Sequence, residues 1–151
     1  MSLLIKTECG PITLTLRPDI APVTVAHILR HVSEKLYDGV TFYRSDFVIQ
    51  MGLYGTPRAS SHPPLQVNES GRGASNKRGT LAVAHHDKPD NGSTELFINL
   101  QDNSHLDTAY GGYCVWANVK EGDAESWKTV DAIAAAVKGG KKVVVQAVTA
   151  F

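Results

Sequence analysis

Apolar and polar residues alternate at the start of the chain, where Ile12, Leu14 and Leu16 are interleaved with threonines in "LLIKTECGPITLTLRP". A period of two marks a half-buried strand, so this stretch predicts two strands about a Gly-Pro turn. The period then changes. In "DIAPVTVAHILRHVSEKLYDG" the residues Val25, Ile28, Leu29, Val32 and Leu36 make one face of a helix, with Pro22 in its first turn and Gly39 just past its end. "VTFYR" and "FVIQMG" read as short strands joined only by Ser45 and Asp46, and "GTLAVAH", "TELFINL" and "GYCVWANV" return to strand composition. "DAESWKTVDAIAAAVKG" predicts a second helix, with Trp127, Val130, Ile133, Ala134 and Val137 on one side, and "KKVVVQAVTAF" predicts a closing strand.

The sum is about eight strands and two helices, without the strand–helix alternation of a parallel sheet. An antiparallel closed barrel with a helix over each end buries both apolar helix faces and leaves no sheet edge exposed. The predicted class is therefore mainly β. No repeat or linker divides the 151 residues, so residues 1–151 are expected to form one domain. The stretch from Leu53 to Arg78, rich in Gly, Pro, Ser and Asn, is longer than an idle connection. It either carries function or hides short elements.

Charge narrows the partners. Fifteen basic residues balance fifteen acidic ones, and beyond "NKR" and "KGGKK" there is no basic stripe, so nucleic acid is not an expected partner. No apolar run is long enough to span a bilayer, which removes a membrane from the expected partners. "MSLLIKTECG" has too short an apolar stretch for a signal peptide. Cys9 and Cys114 lack ligand-like spacing and read as unpaired thiols of a reducing compartment. A soluble cytoplasmic protein, acting as a monomer, is the expectation.

One residue is out of place in this pattern. Arg44 stands in "FYRSDFVIQMG" among Phe42, Phe47, Val48 and Ile49, and a guanidinium surrounded by hydrocarbon is costly unless something uses its donors. The residues alone favour an arginine whose stem packs on the barrel while its head pairs with an acid such as Asp46. Phe47 and Phe97 read as core aromatics on the same grounds. "HHD" at 85–87, with His105 and Asp107, raises a metal-dependent hydrolase, but the irregular loop spacing favours surface histidines. "ESGRG", "NKRG" and "DNGST" lack a phosphate-loop pattern and read as turns, and "NGS" at 91–93 matches the glycosylation triplet.

Five stretches taken in order change that balance. "GPITLTLRPDIAPVTVAHIL", "FYRSDFVIQMG", "NKRGTLAVAH", "STELFINLQDNSHLD" and "GYCVWANVKEG" resemble the cyclophilins, bacterial-type members above all, over nearly the whole chain. The resemblance implies an eight-stranded antiparallel closed barrel capped by two α-helices, in line with the independent reading. It also implies a peptidyl-prolyl cis/trans isomerase that acts on X–Pro bonds and assists folding, its partners being proline-containing peptides or proteins. Such a reaction needs no cofactor, metal or nucleophile, only a site that lets the amide twist.

By resemblance, Arg44 is the catalytic arginine, and Phe47, Phe97 and Leu106 form the apolar wall for the proline ring, with Val48 where a methionine is common. Gln50 matches the glutamine that hydrogen-bonds substrate backbone, Ala84 and His85 line the groove for residues before proline, and Tyr113 replaces a more familiar histidine. Three departures stand out. The loop from Arg44 to Phe47 lacks the usual Pro-Gly. Glu95 replaces a glutamine and is expected to reach Arg44, diverting its donors. His105 replaces the tryptophan of cyclosporin-sensitive members, so cyclosporin is expected to bind weakly. The alternative function is a module that binds Pro-containing peptides but turns them over poorly.

Overall fold

The structure is a computed structural model that describes residues 1–85 and 92–151. Strands β1 (Ser2–Thr7) and β2 (Gly10–Leu16) form the first hairpin. Helix α1 (Pro22–Ser33) follows, then the hairpin of β3 (Thr41–Ser45) and β4 (Val48–Gly52). After the long connection come β5 (Thr80–Val83), β6 (Leu96–Asn99) and β7 (Val115–Val119). Helix α2 (Ala124–Lys138) and β8 (Val143–Ala150) end the chain. All neighbouring strands are antiparallel, in the order β1-β2-β7-β5-β6-β4-β3-β8, and pairing of β8 with β1 closes the barrel.

The alternation in the sequence becomes the two faces of the wall. Leu3, Ile5, Ile12, Leu14 and Leu16 point into the barrel, with Phe42, Ile49, Ile98 and Trp116 filling its middle. Val130, Ile133 and Val137 of α2 and Val25, Ile28 and Val32 of α1 join the same core, α2 against β2 and β3 and α1 against β8.

Strands β4, β5 and β6 depart from simple alternation, being buried at nearly every position. Their inward residues Ile49, Leu81, Val83, Leu96 and Ile98 belong to the main core. Their outward residues Val48, Ala82 and Phe97 form a second, smaller cluster with Leu106 on the outside of the wall. A strand buried on both faces reads as a continuous apolar run, and here the outer covering is the site itself.

Two expectations change in detail. The first hairpin turns at Glu8 and Cys9, so Pro11 lies within β2, opposite Lys6. The first helix ends at Ser33, well short of Gly39. Lys35 takes a left-handed conformation (φ 57°), and Leu36 N–H folds back to His31 O at 3.1 Å. That ending lets Tyr37, 1% exposed, turn into the core and donate to Thr94 O. Leu36 therefore packs from a turn, outside the helix.

The stretch from Leu53 to Arg78 contains turns but no strand or helix. It supplies Glu69, 2% exposed, whose Oε1 accepts Thr24 N–H at 2.7 Å and whose Oε2 accepts Val23 N–H at 3.3 Å. Ala21, which precedes α1, has no side chain to cap it, so this distant carboxylate answers two of the helix's open donors. Cys9 and Cys114 are both free thiols, the latter buried.

Candidate active site

The β3–β4 hairpin explains how an arginine survives in an apolar strand. Phe42 pairs with Met51 but Arg44 already pairs with Gln50, so Tyr43 is an extra residue on β3. A bulge of this kind breaks the in–out alternation and re-aims the next side chain. Phe42 is fully buried, whereas Arg44 swings outward with 42% of its side chain exposed. No hydrocarbon encloses it.

Only Ser45 and Asp46 separate Arg44 from Phe47, yet the short loop brings them together. The guanidinium carbon lies over the Phe47 ring, 5.3 Å from its centre. Arg44 Nε donates to Asp46 Oδ2 at 2.9 Å, and Nη1 donates to Gln50 Oε1 at 3.2 Å. A guanidinium has five N–H donors; two are engaged, so three have no partner among the described residues.

Arg44 lines a groove of about 600 Å³ that brings together all the residues predicted for the site. Arg44, Phe47, Val48 and Gln50 come from the hairpin, Ala84 and His85 from the end of β5, and Glu95 and Phe97 from the start of β6. His105 and Leu106 sit on a 3-10 turn (Ser104–Asp107), with Tyr113 beyond it. The floor is dry: Val48 is 1%, Phe97 4% and Leu106 9% exposed. The Phe47 ring meets the edge of His105, Phe97 meets the edge of Tyr113, and His85 stacks on Tyr113 at 4.1 Å. His85 Nε2 also lies 2.8 Å from Gly112 O.

A buried amide network holds this floor in place. Asn103 Nδ2 donates to Phe47 O and to Asn99 Oδ1, and Asn99 Nδ2 donates to Asn76 Oδ1. Asn76 Nδ2 in turn donates to Asp107 Oδ1 at 2.9 Å and to Tyr113 O at 3.1 Å. Burial pushes the Asp107 carboxyl up, but hydrogen bonds from Ser75 and Asn76 outweigh it and hold the group below its ordinary value. The network thus ties Phe47, the turn carrying Leu106, and Tyr113 into one frame.

Glu95 does not reach Arg44. Its Oε1 accepts the Tyr43 hydroxyl at 2.9 Å and Tyr54 N–H at 3.1 Å; its Oε2 accepts Leu53 N–H at 3.0 Å and the Thr94 hydroxyl at 2.7 Å. Four donors saturate the carboxylate, so Glu95 does not divert Arg44, and among the described residues Asp46 is the acid at the guanidinium. Glu95 lines the groove with its carboxylate bound by these four donors. Of the "HHD" motif only His85 falls within the described residues, against Tyr113, while His105 faces Phe47 and Asp107 is bound by Ser75 and Asn76. Asn91 of "NGS" and Asp90 and Asn91 of "DNGST" also fall outside them.

The family model described as cyclophilin type peptidyl-prolyl cis-trans isomerase/CLD matches residues 2–150. The chain belongs to the cyclophilins. Among its relatives, the peptidyl-prolyl cis-trans isomerase cyp18 of Streptomyces antibioticus is 36% identical over 148 residues, covering 91% of this chain and 86% of the relative. Peptidyl-prolyl cis-trans isomerase A of Dickeya dadantii is 33% identical over 125 residues, 79% of this chain but only 65% of that protein's length. A crystal structure of a Cryptosporidium parvum cyclophilin, obtained in the presence of the dipeptide Ala-Pro, superimposes with a TM-score of 0.82 at 17% identity. It covers 100% of this chain and 99% of the other, a likeness of fold.

Within this cyclophilin the groove also includes Ser93, Thr94, Ala109 and Tyr110, which the sequence reading did not select. Tyr110 carried a signal: it precedes the pair Gly111–Gly112 and takes a left-handed conformation (φ 50°), leaving its ring 64% exposed at the groove's edge. Asn76, Asn99 and Asn103 carried none, because polar residues in loops and strand ends are ordinary on a surface. Among the described residues no helix is long and apolar enough to cross a membrane.

Proposed function

We propose that this cyclophilin catalyses cis/trans isomerisation of X–Pro bonds in peptides and proteins, with Arg44 as its catalytic residue. The observation that carries the reading is a guanidinium held by Asp46 and Gln50, with three of its N–H donors unpartnered among the described residues, beside an apolar recess. Amide rotation is slow because resonance gives the C–N bond double-bond character, a barrier of about 18–20 kcal/mol. As the bond twists, the proline nitrogen loses resonance, becomes pyramidal and gains a lone pair that accepts a hydrogen bond. The planar amide offers that donor little. A donor already aimed at the nitrogen therefore stabilises the twisted state selectively, which is the condition for catalysis.

The proline ring fits the recess of Phe47, Val48, Phe97 and Leu106, an apolar seat beside Arg44. Gln50 donates to substrate backbone, and Ala84, His85 and Tyr113 border the segment before proline. His105 offers a smaller and more polar ring than tryptophan, so cyclosporin is a weak ligand under this reading. Folding chains in the cytoplasm are the substrates this proposal names. Two unpaired cysteines accord with a reducing compartment.

A second reading, a module that binds Pro-containing peptides with little turnover, is favoured by the ion pair between Asp46 and Arg44. A protease-coupled assay on a short X-Pro peptide separates them. Turnover well above the thermal rate supports the isomerase; peptide binding at the thermal rate supports the module.

A further inference from the structure

Glu95 and Tyr43 form the far end of a hydrogen-bonded chain that ends on Arg44. The Tyr43 hydroxyl donates to Glu95 Oε1 at 2.9 Å, Gln50 Nε2 donates to the Tyr43 oxygen at 2.8 Å, and Arg44 Nη1 donates to Gln50 Oε1 at 3.2 Å. Both ends permit one polarity only. An ionised carboxylate accepts and never donates; a guanidinium donates and never accepts. The Tyr43 proton must therefore lie toward Glu95, which leaves its oxygen as an acceptor for Gln50. The Gln50 amide is thereby fixed with its oxygen toward Arg44.

The anchor of this chain is built for the purpose. Leu53 N–H, Tyr54 N–H and the Thr94 hydroxyl all donate to the Glu95 carboxylate and fix its orientation. Gly52 makes room for it: a Cβ there would collide with the Glu95 carboxylate. Burial, then the hydrogen bond to Glu95, pushes the Tyr43 hydroxyl well above its ordinary value, so it stays a protonated donor across the physiological range.

We propose that Glu95 and Tyr43 are positioning residues of the isomerase site, acting through Gln50 to aim the Arg44 guanidinium and to orient the Gln50 amide where it lines the groove. The proposal rests on the isomerase reading above. It assigns Glu95 the reverse of a diverting role: the carboxylate supports Arg44 from two residues away, through a chain of fixed direction. Asp46 holds the same guanidinium from the other side, at Nε. The two anchors together leave Arg44 little freedom to turn.

Tyr43→Phe removes one hydroxyl and keeps the ring, so folding is preserved. It is measured for kcat/KM on an X-Pro peptide, for peptide affinity, and for the Gln50 side-chain amide resonances in the free protein. The expected result is a fall in kcat/KM of roughly 5–10-fold, the loss of about one hydrogen bond, with peptide affinity nearly unchanged and the Gln50 resonances displaced. In a Gln50→Ala background the same change is expected to have no further effect, because the link is already cut. Glu95→Gln is not expected to accelerate the enzyme. An active chain in which Tyr43→Phe is silent, or equally harmful with and without Gln50, overturns the proposal alone. An unmodified chain that leaves the peptide at its thermal rate overturns the isomerase reading itself.

Discussion

Arg44 Nε donates to Asp46 Oδ2 at 2.9 Å in a pair that stays in water, with 42% and 45% of the two side chains exposed. Exposed ion pairs contribute about 0–1 kcal/mol, so this contact does little for the fold. Its effect is on direction. Asp46 Oδ1 also accepts Val48 N–H at 3.2 Å, which fixes the acid to the hairpin turn and the guanidinium to the acid. Asp46→Ala is expected to leave the melting temperature within about 3 °C, while kcat/KM falls several-fold as Arg44 loses its aim. Faster turnover in Asp46→Ala would mean that Asp46 withholds the arginine from substrate.

Phe97 serves the groove and the wall at once. It is 4% exposed and packs with Val48, Ala82 and Leu106 outside the main core. Phe97→Ala is expected to weaken binding of a Pro-containing peptide and to destabilise by about 3 kcal/mol, near the low end for such truncations because the cavity opens to water. Thermal melting and a peptide titration on the same sample check both. Normal affinity in a destabilised variant would remove Phe97 from the binding surface.

The trans cap on α1 is open to a direct test. Glu69→Ala leaves Val23 N–H and the buried Thr24 N–H without their acceptor. The expected loss is about 2–4 kcal/mol, since the lost bonds are to a charged group. Amide exchange at Thr24 should accelerate more than exchange in β1 or β8. Unchanged protection at Thr24 would show that the cap contributes nothing.

A pH dependence follows from the histidines of α1. His31 is fully buried, with its ring 4.5 Å from that of His27 and 5.5 Å from that of His62, and with Glu34 and Arg30 as the nearby charges. Burial, then the His27 charge, lowers its pKa from 6.5 to about 4. The unfolded chain therefore binds a proton that the folded chain refuses between those values. Stability is complete above pH about 6.5 and declines as pH falls toward 4, with a slope of up to about 1.4 kcal/mol per pH unit for one such group. Urea unfolding at pH 4.5 and pH 7 should show this decline, and His31→Gln should flatten it. An equal slope in the variant would assign the dependence to other groups.

The parts legible in the sequence were those carried by period and by contiguous motif. The alternation of Ile12, Leu14 and Leu16 and the helical spacing of Val130, Ile133 and Val137 needed no partners to be read. The groove residues were legible because family-like stretches hold them in order, as with Arg44, Phe47 and Gln50 in one hairpin. What escaped depends on partners distant in the chain: Glu69 with Thr24 across 45 residues, Glu95 with Tyr43 across 52, Asn76 with Asp107 across 31. The bulge at Tyr43 escaped for a related reason. It exists only as a mismatch of register between β3 and β4, and neither strand shows it alone.

The central claim is that Arg44 acts on the twisted amide rather than on the bound peptide. Its most direct test is Arg44→Ala, assayed for kcat/KM by protease coupling or exchange spectroscopy and for peptide affinity by titration. Loss of one preorganised donor typically costs a factor of about 10²–10³ in rate, and that fall is predicted here with affinity changed only a few-fold. Arg44→Lys should rescue poorly, since an ammonium on a flexible stem cannot bond Asp46, Gln50 and substrate in one fixed fan. Turnover in Arg44→Ala equal to that of an active unmodified chain would contradict the account and leave Arg44 a structural partner of Asp46.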